Sequence, residues 1–215
     1  MDHVFTIAQL RPIRDGMTIS RDARLESENS VTYFSLGKET SISQERYDMT
    51  SVYIGAKGNG DFILGAEQKK GRLTPGDVLI VPGGTLCGVQ SDTGAVYTEI
   101  IIKKEIPMNN IIKSGEVFKL KDLIQYEEGS ISNLDVVSNN TMKFVLMAFD
   151  EGTGLQPHRA PGNAIIFALE GQATIGYEGK DYTISAGENF RFDKEGLHSV
   201  TANGKFKMAL LLVLE

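Results

Sequence analysis

The chain is short of most features that assign a protein quickly. It has one cysteine, Cys87, so no intrachain disulfide can form. Its longest apolar run, "MALLLVL" near the C-terminus, is far too short to span a bilayer. Positive charge is not in excess: 22 Lys and Arg stand against 28 Asp and Glu, a net charge of −6. The bases are also scattered, which argues against a nucleic-acid or anionic-membrane partner. The opening "MDHVFTIAQLRPIRDG" carries an early acid and no continuous apolar core, so it does not read as a signal peptide, and a cytoplasmic protein is expected. Histidine is scarce, with only His3, His158 and His198.

What is present is an ordinary globular composition, 41% hydrophobic and 23% charged, which calls for a packed core. The 215 residues could form one large domain or two smaller ones. An internal repeat decides for two. Phe5 and Leu10 recur as Phe118 and Leu123, a shift of 113, and Gly16, Ile42, Glu45 and Gly58 map at the same shift to Gly129, Leu155, His158 and Gly171. Further on the shift becomes 111, pairing Gly76 with Gly187, Cys87 with His198 and Val89 with Val200. Between these blocks the second copy has Glu178-Gly179, a two-residue hairpin signal, where the first has the longer "GAEQKKG". A longer hairpin loop in one copy accounts for the step.

Each copy consists of short apolar or alternating runs such as "NAIIFAL", "ATIGY" and "NFRF", broken by Gly, Pro, Asp and Asn. That pattern predicts an all-β sandwich or barrel. A short helix is expected only in pieces such as "KLKDLIQY", 119–126. The expected organisation is an N-terminal barrel with an arm over 1–106, a linker and second arm over 107–140, and a C-terminal barrel over 141–215. The boundary falls in the Pro/Asn/Gly-containing stretch 107–117.

The glycine-punctuated blocks resemble the cupin superfamily, whose first motif is G-x5-H-x-H-x3-E-x6-G and whose second is G-x5-P-x-G-x2-H. In the second copy Gly152, His158 and Gly171 fit the first motif, with Ala160 and Ala164 at the second His and the Glu. Gly187 and His198 fit the second, with Asp193 for Pro and Glu195 for Gly. The first copy keeps Gly76, Pro82 and Gly84, with Cys87 at the His, while Glu45, Tyr47 and Ser51 stand at the other three ligand positions. The resemblance implies two tandem double-stranded β-helix barrels, a bicupin, with these positions facing the barrel interiors. It also implies a homodimer.

Where the family typically holds a divalent metal on three His and one Glu, this chain offers His158 and His198, with Gln156, two residues before His158, as a third ligand. The expected ligand pocket of the C-terminal barrel is Gln156, His158, Ala160, Asn163, Ala164 and His198. In the N-terminal barrel it is Glu45, Tyr47, Ser51 and Cys87, with Cys87 itself read as a small buried hydrophobe. Asp193 or Glu195 could orient the His198 ring. The expected cofactor is none, or a weakly held divalent ion among which Zn, Fe, Mn and Ni are not distinguished. Two functions follow: a non-catalytic or regulatory bicupin binding a small polar metabolite in the C-terminal barrel, or a metal-dependent isomerase, lyase or dioxygenase using His158 and His198.

Overall fold

The computed structural model describes residues 3–25, 29–103, 109 and 111–214. Among these, twenty strands form four antiparallel sheets, two per half. In the N-terminal half a six-stranded sheet runs Val117–Lys119, Asp77–Val81, Thr50–Gly58, Ala95–Ile102, Ser30–Leu36, Thr18–Asp22. A four-stranded sheet runs Thr40–Arg46, Leu86–Ser91, Gly60–Leu64, Lys69–Leu73. The C-terminal half repeats both orders: Val4–Phe5, Asn189–Phe192, Ala164–Glu170, Phe206–Val213, Met142–Phe149, Ile131–Ser138, then Gly154–Arg159, Leu197–Ala202, Gln172–Tyr177, Lys180–Ser185. The fold is therefore the expected pair of all-β barrels.

The change of repeat shift has the expected cause. Leu64 pairs with Lys69 across four loop residues, and Tyr177 pairs with Lys180 across only two. Glu178 and Gly179 both take positive φ, 49° and 80°, the twist a tight two-residue hairpin demands. The closing glycines of the first motif have a different reason. A side chain on Gly58 would strike the Gly94 carbonyl, and one on Gly171 would strike the Lys205 carbonyl, so both sheets fold over a bare backbone there.

The two six-stranded sheets face each other across one continuous apolar core. Val31, Ile54 and Ile100 from one half pack in it with Phe144, Ile165 and Leu211 from the other, all at most 5% exposed. Burying both sheet faces against each other joins the halves into one apolar unit.

The arms cross over. The expected boundaries group each arm with the barrel that follows it, yet Val4–Phe5 pairs with the edge strand of the C-terminal barrel, Phe5 opposite Asn189. The second arm, Val117–Lys119, pairs with the edge of the N-terminal barrel, Phe118 opposite Val78. Each arm thus caps an exposed sheet edge. Lys119 anchors its arm through Nζ to the Asp77 carboxylate at 2.6 Å. The first arm continues into a one-turn helix, Ile7–Leu10, closed at its start by a Thr6/Gln9 capping box. At 119–126 the only helical element is a 3-10 turn, Leu120–Asp122, because Lys119 is already paired in its strand. Of the expected boundary segment, 107, 108 and 110 lie outside the described residues.

Candidate functional site

His158 and His198 sit directly opposite each other on neighbouring strands, their ring centroids 4.1 Å apart. A bulge between Leu155 and His158 aims the first ring at the second. His158 Nδ1 lies 2.8 Å from the Gln156 carbonyl, and His198 Nδ1 3.1 Å from the Gly196 carbonyl. A carbonyl only accepts, so each Nδ1 carries a proton, and in the neutral ring Nε2 is left as the acceptor. Backbone therefore orients the His198 ring, in place of the Asp193 or Glu195 carboxylate considered from sequence. Burial lowers the His198 pKa below its ordinary value and the nearby His158 adds to this, while the Gly196 contact opposes it.

Little surrounds the pair that could complete a metal shell. Ala160 and Ala164 are each 2% exposed and pack in the same apolar cluster as Tyr177 and Phe192. Phe192 lies against His198, ring centroids 4.1 Å apart. The bulge removes the strand alternation that placed the Gln156 side chain beside His158, and the contact Gln156 makes there is through its carbonyl. Asn163 is committed elsewhere: its amide donates to the Leu25 carbonyl at 3.2 Å and accepts from the Lys194 N–H at 3.0 Å. Among the described residues no group of three or more His, Cys, Asp or Glu is arranged to hold a metal. Two imidazoles are too few for a resident transition metal, which takes at least three protein ligands. The donor set does not fit that cofactor.

The N-terminal barrel is different. At the place equivalent to the histidine pair, Glu45 lies opposite Cys87 after the same bulge. Behind them is a cavity of about 180 Å³ lined by Glu45, Tyr47, Tyr53, Cys87, Tyr97 and Glu99 together with apolar side chains. Three of the four residues expected for this barrel's pocket line it, and Ser51 lies buried beside it, bonded toward Tyr53. Tyr47 donates to the Glu45 carboxylate at 3.1 Å. Deeper in, the rings of Phe34, Tyr53, Phe62 and Tyr97 touch one another, with centroids 4.7–6.0 Å apart.

Glu99 is 8% exposed, and burial raises its pKa; Tyr53 pulls the other way and Glu45 adds to the rise. Burial also pushes the Cys87 thiol up to about 11, with Glu99 adding to the rise against a hydrogen bond from Tyr53. At neutral pH Cys87 is a thiol, so the expected inert small hydrophobe fits. Tyr97 and Glu99 escape a motif-based search because they lie outside both motifs, and Tyr53 because it falls in the unspecified spacer between Ser51 and Gly58 of the first. A signal for Glu99 is nonetheless there: it is an acid inside the apolar run "AVYTEIII".

A larger cleft of about 500 Å³ lies where the first arm meets both barrels, lined by His3, Arg21, Arg24 and Arg191 among others. Two of its groups serve the seam: Arg191 donates to the Ala23 and Arg24 carbonyls, and the His3 ring packs 4.6 Å from Tyr177.

Among the described residues no helix is long and apolar enough to cross a membrane. Residues 145–214 match the family model described as "Cupin domain". No curated protein matches the chain. Solved structures do. A "Cupin 2 conserved barrel domain protein" from Leptotrichia buccalis is similar at 24% identity and TM-score 0.85, covering 98% of this chain and 95% of that one. A point mutant of salicylate 1,2-dioxygenase from Pseudoaminobacter salicylatoxidans is similar at 11% identity and TM-score 0.70, covering 98% and 83%. At these identities the likeness is one of fold. The C-terminal barrel thus carries the match to the cupin-domain model, and the two barrels together share the fold of these cupin structures.

Proposed function

We propose that the chain is a small-molecule-binding bicupin whose ligand sits inside the N-terminal barrel. One observation carries this. The N-terminal barrel has an open cavity with a buried acid and tyrosines at its wall, while the same places in the C-terminal barrel hold Ile166, Met208 and Leu210. The sequence motifs favour a ligand in the C-terminal barrel, but there Phe192 and the two alanines fill the space beside the histidines. A concave site with few polar groups in an apolar wall is the usual form of a small-molecule pocket.

A second reading keeps His158 and His198 as the site, because their ring centroids lie 4.1 Å apart and each has its Nδ1 on a backbone carbonyl, leaving Nε2 to accept from a polar ligand. The enzyme reading draws on the fold shared with a dioxygenase and has no matching donor set here. Small molecules released from the purified protein by denaturation and identified by mass spectrometry separate these. The proposal expects a molecule lost in Cys87→Phe, which fills the cavity, and retained in His158→Ala, with both variants shown to be folded by thermal unfolding. The reverse pattern moves the site to the C-terminal barrel and overturns the proposal.

A further inference from the structure

The chemistry of the N-terminal cavity is one-sided. Its wall carries two carboxyl groups, Glu99 inside and Glu45 at the strand pair with Cys87, and none of its lining residues is Lys, Arg or His. Five of its lining residues are aromatic, and Phe34, Tyr53, Phe62 and Tyr97 among them are in mutual contact, beside Ile42, Ser43, Cys87, Gly88 and Val89. The fold does not require any of this. In register, the C-terminal barrel has Met147 for Phe34, Ile166 for Tyr53, Ile175 for Phe62, Met208 for Tyr97 and Leu210 for Glu99. An apolar core of the same topology is thus built without a single acid, and in one barrel alone it has been exchanged for four rings and a carboxyl.

A buried carboxylate with no cationic neighbour is costly, and the cost disappears when a cation meets it. Aromatic faces attract cations through the negative potential over the ring, the more so away from water. Both features select the same partner. We propose that the N-terminal barrel binds a small organic cation, an amine or quaternary ammonium compound, with its charge facing Glu99 and its alkyl groups against the tyrosine and phenylalanine rings. At about 30 Å³ for each water-sized group, the 180 Å³ cavity holds a molecule of roughly six such groups. The assignment rests on the reading that the ligand occupies this barrel, and the test separates the two.

The test uses ligand-observed NMR on the full chain with three compact probes: tetramethylammonium, the neutral tert-butanol and the anion acetate. Saturable binding of tetramethylammonium alone is expected, blocked by Cys87→Phe and weakened at least tenfold by Glu99→Gln, with Glu45→Gln as the control for the outer carboxyl. Affinity is also expected to fall as the pH is lowered through the raised Glu99 pKa. Of the groups facing Glu99 (Glu45, Tyr47, Tyr53, Cys87 and Tyr97), Glu45 is the other carboxyl, and repeating the pH series in Glu45→Gln isolates the Glu99 contribution. If tert-butanol or acetate binds in a manner blocked by Cys87→Phe while tetramethylammonium does not, the cation assignment falls and the ligand site stands. If no probe binds, the cation assignment falls. Binding indifferent to Cys87→Phe lies outside the cavity and overturns both.

Discussion

If Ala160 and Ala164 are what deny the C-terminal barrel a metal, then replacing them should create a site. The perturbation is the double variant Ala160→His/Ala164→Glu, which adds an imidazole and a carboxylate at the two vacant motif positions beside His158 and His198. Both alanines are 2% exposed and packed in the cluster of Tyr177 and Phe192. The larger side chains therefore overpack, at about 1–3 kcal/mol each, or about 2–6 kcal/mol in the metal-free protein. A divalent ion at a hundred times its dissociation constant returns about 2.7 kcal/mol. For a chain of this size one kcal/mol moves the midpoint by about 2–4 °C, so zinc should raise the variant's Tm by about 5–11 °C over its value in EDTA. Scanning calorimetry reads the shift, and metal analysis after desalting reads the stoichiometry. The reasoning is refuted if the parent protein retains one equivalent of divalent metal and shows a comparable shift. It is equally refuted if the folded double variant takes up none, for then the four positions do not converge on one point.

Three further outcomes follow from the fold. Gly171→Ala should cost about 2 kcal/mol or more in urea unfolding, since the residue has φ near 73° and its new methyl meets the Lys205 carbonyl; a loss under about 0.5 kcal/mol would contradict the clash. Lys119→Ala should cost about 1–3 kcal/mol by removing the charge-assisted bond to Asp77, which is 7% exposed. Burial alone would raise the Asp77 pKa, but the bonds from Lys119 and Thr74 outweigh it and hold the carboxyl below its ordinary value. Its contribution is then present above the unfolded aspartate pKa of about 3.9 and lost as pH falls through the lower folded value. Lys119→Ala should flatten that acid limb, and an unchanged limb would count against the anchor. Deleting residues 1–6 should leave the strand Asn189–Phe192 with an open edge and give larger species by light scattering than the full chain; an unchanged mass and Tm would mean the arm protects nothing.

The fold was open to sequence reading because it is written twice. Two copies of one strand pattern constrain each other, and even the step from 113 to 111 reduced to a hairpin of four loop residues against one of two. The crossing of the arms was not legible. Phe5 and Phe118 announced themselves as repeated, but which edge each would join is a long-range pairing between Phe5 and Asn189, or Phe118 and Val78, with no local signature. The site was legible only where family motifs reach. They drew attention to His158 and His198, which the structure does bring together, and left Glu99 unweighted because its strand contributes no motif ligand. Gln156 was placed by strand alternation, which holds only without a bulge, and a bulge lies between Leu155 and His158.

The crossed arms and the shared core also explain how the two interiors could drift so far apart. Each barrel's outward sheet face and edge are committed to the other half, through residues such as Ile54, Leu211 and Lys119. The interior faces carry no such obligation to the partner. One barrel has filled its interior with Phe190, Phe192 and Tyr177 and stabilises the pair from within. The other leaves a space of about 180 Å³ and a buried acid, a combination that weakens a core. On the proposed function stability and binding are divided between two copies of one fold, and Glu99→Leu, which restores the residue type of the C-terminal copy, should raise the melting temperature while abolishing ligand capture. A variant that lost stability on this change would show that the acid serves the fold itself.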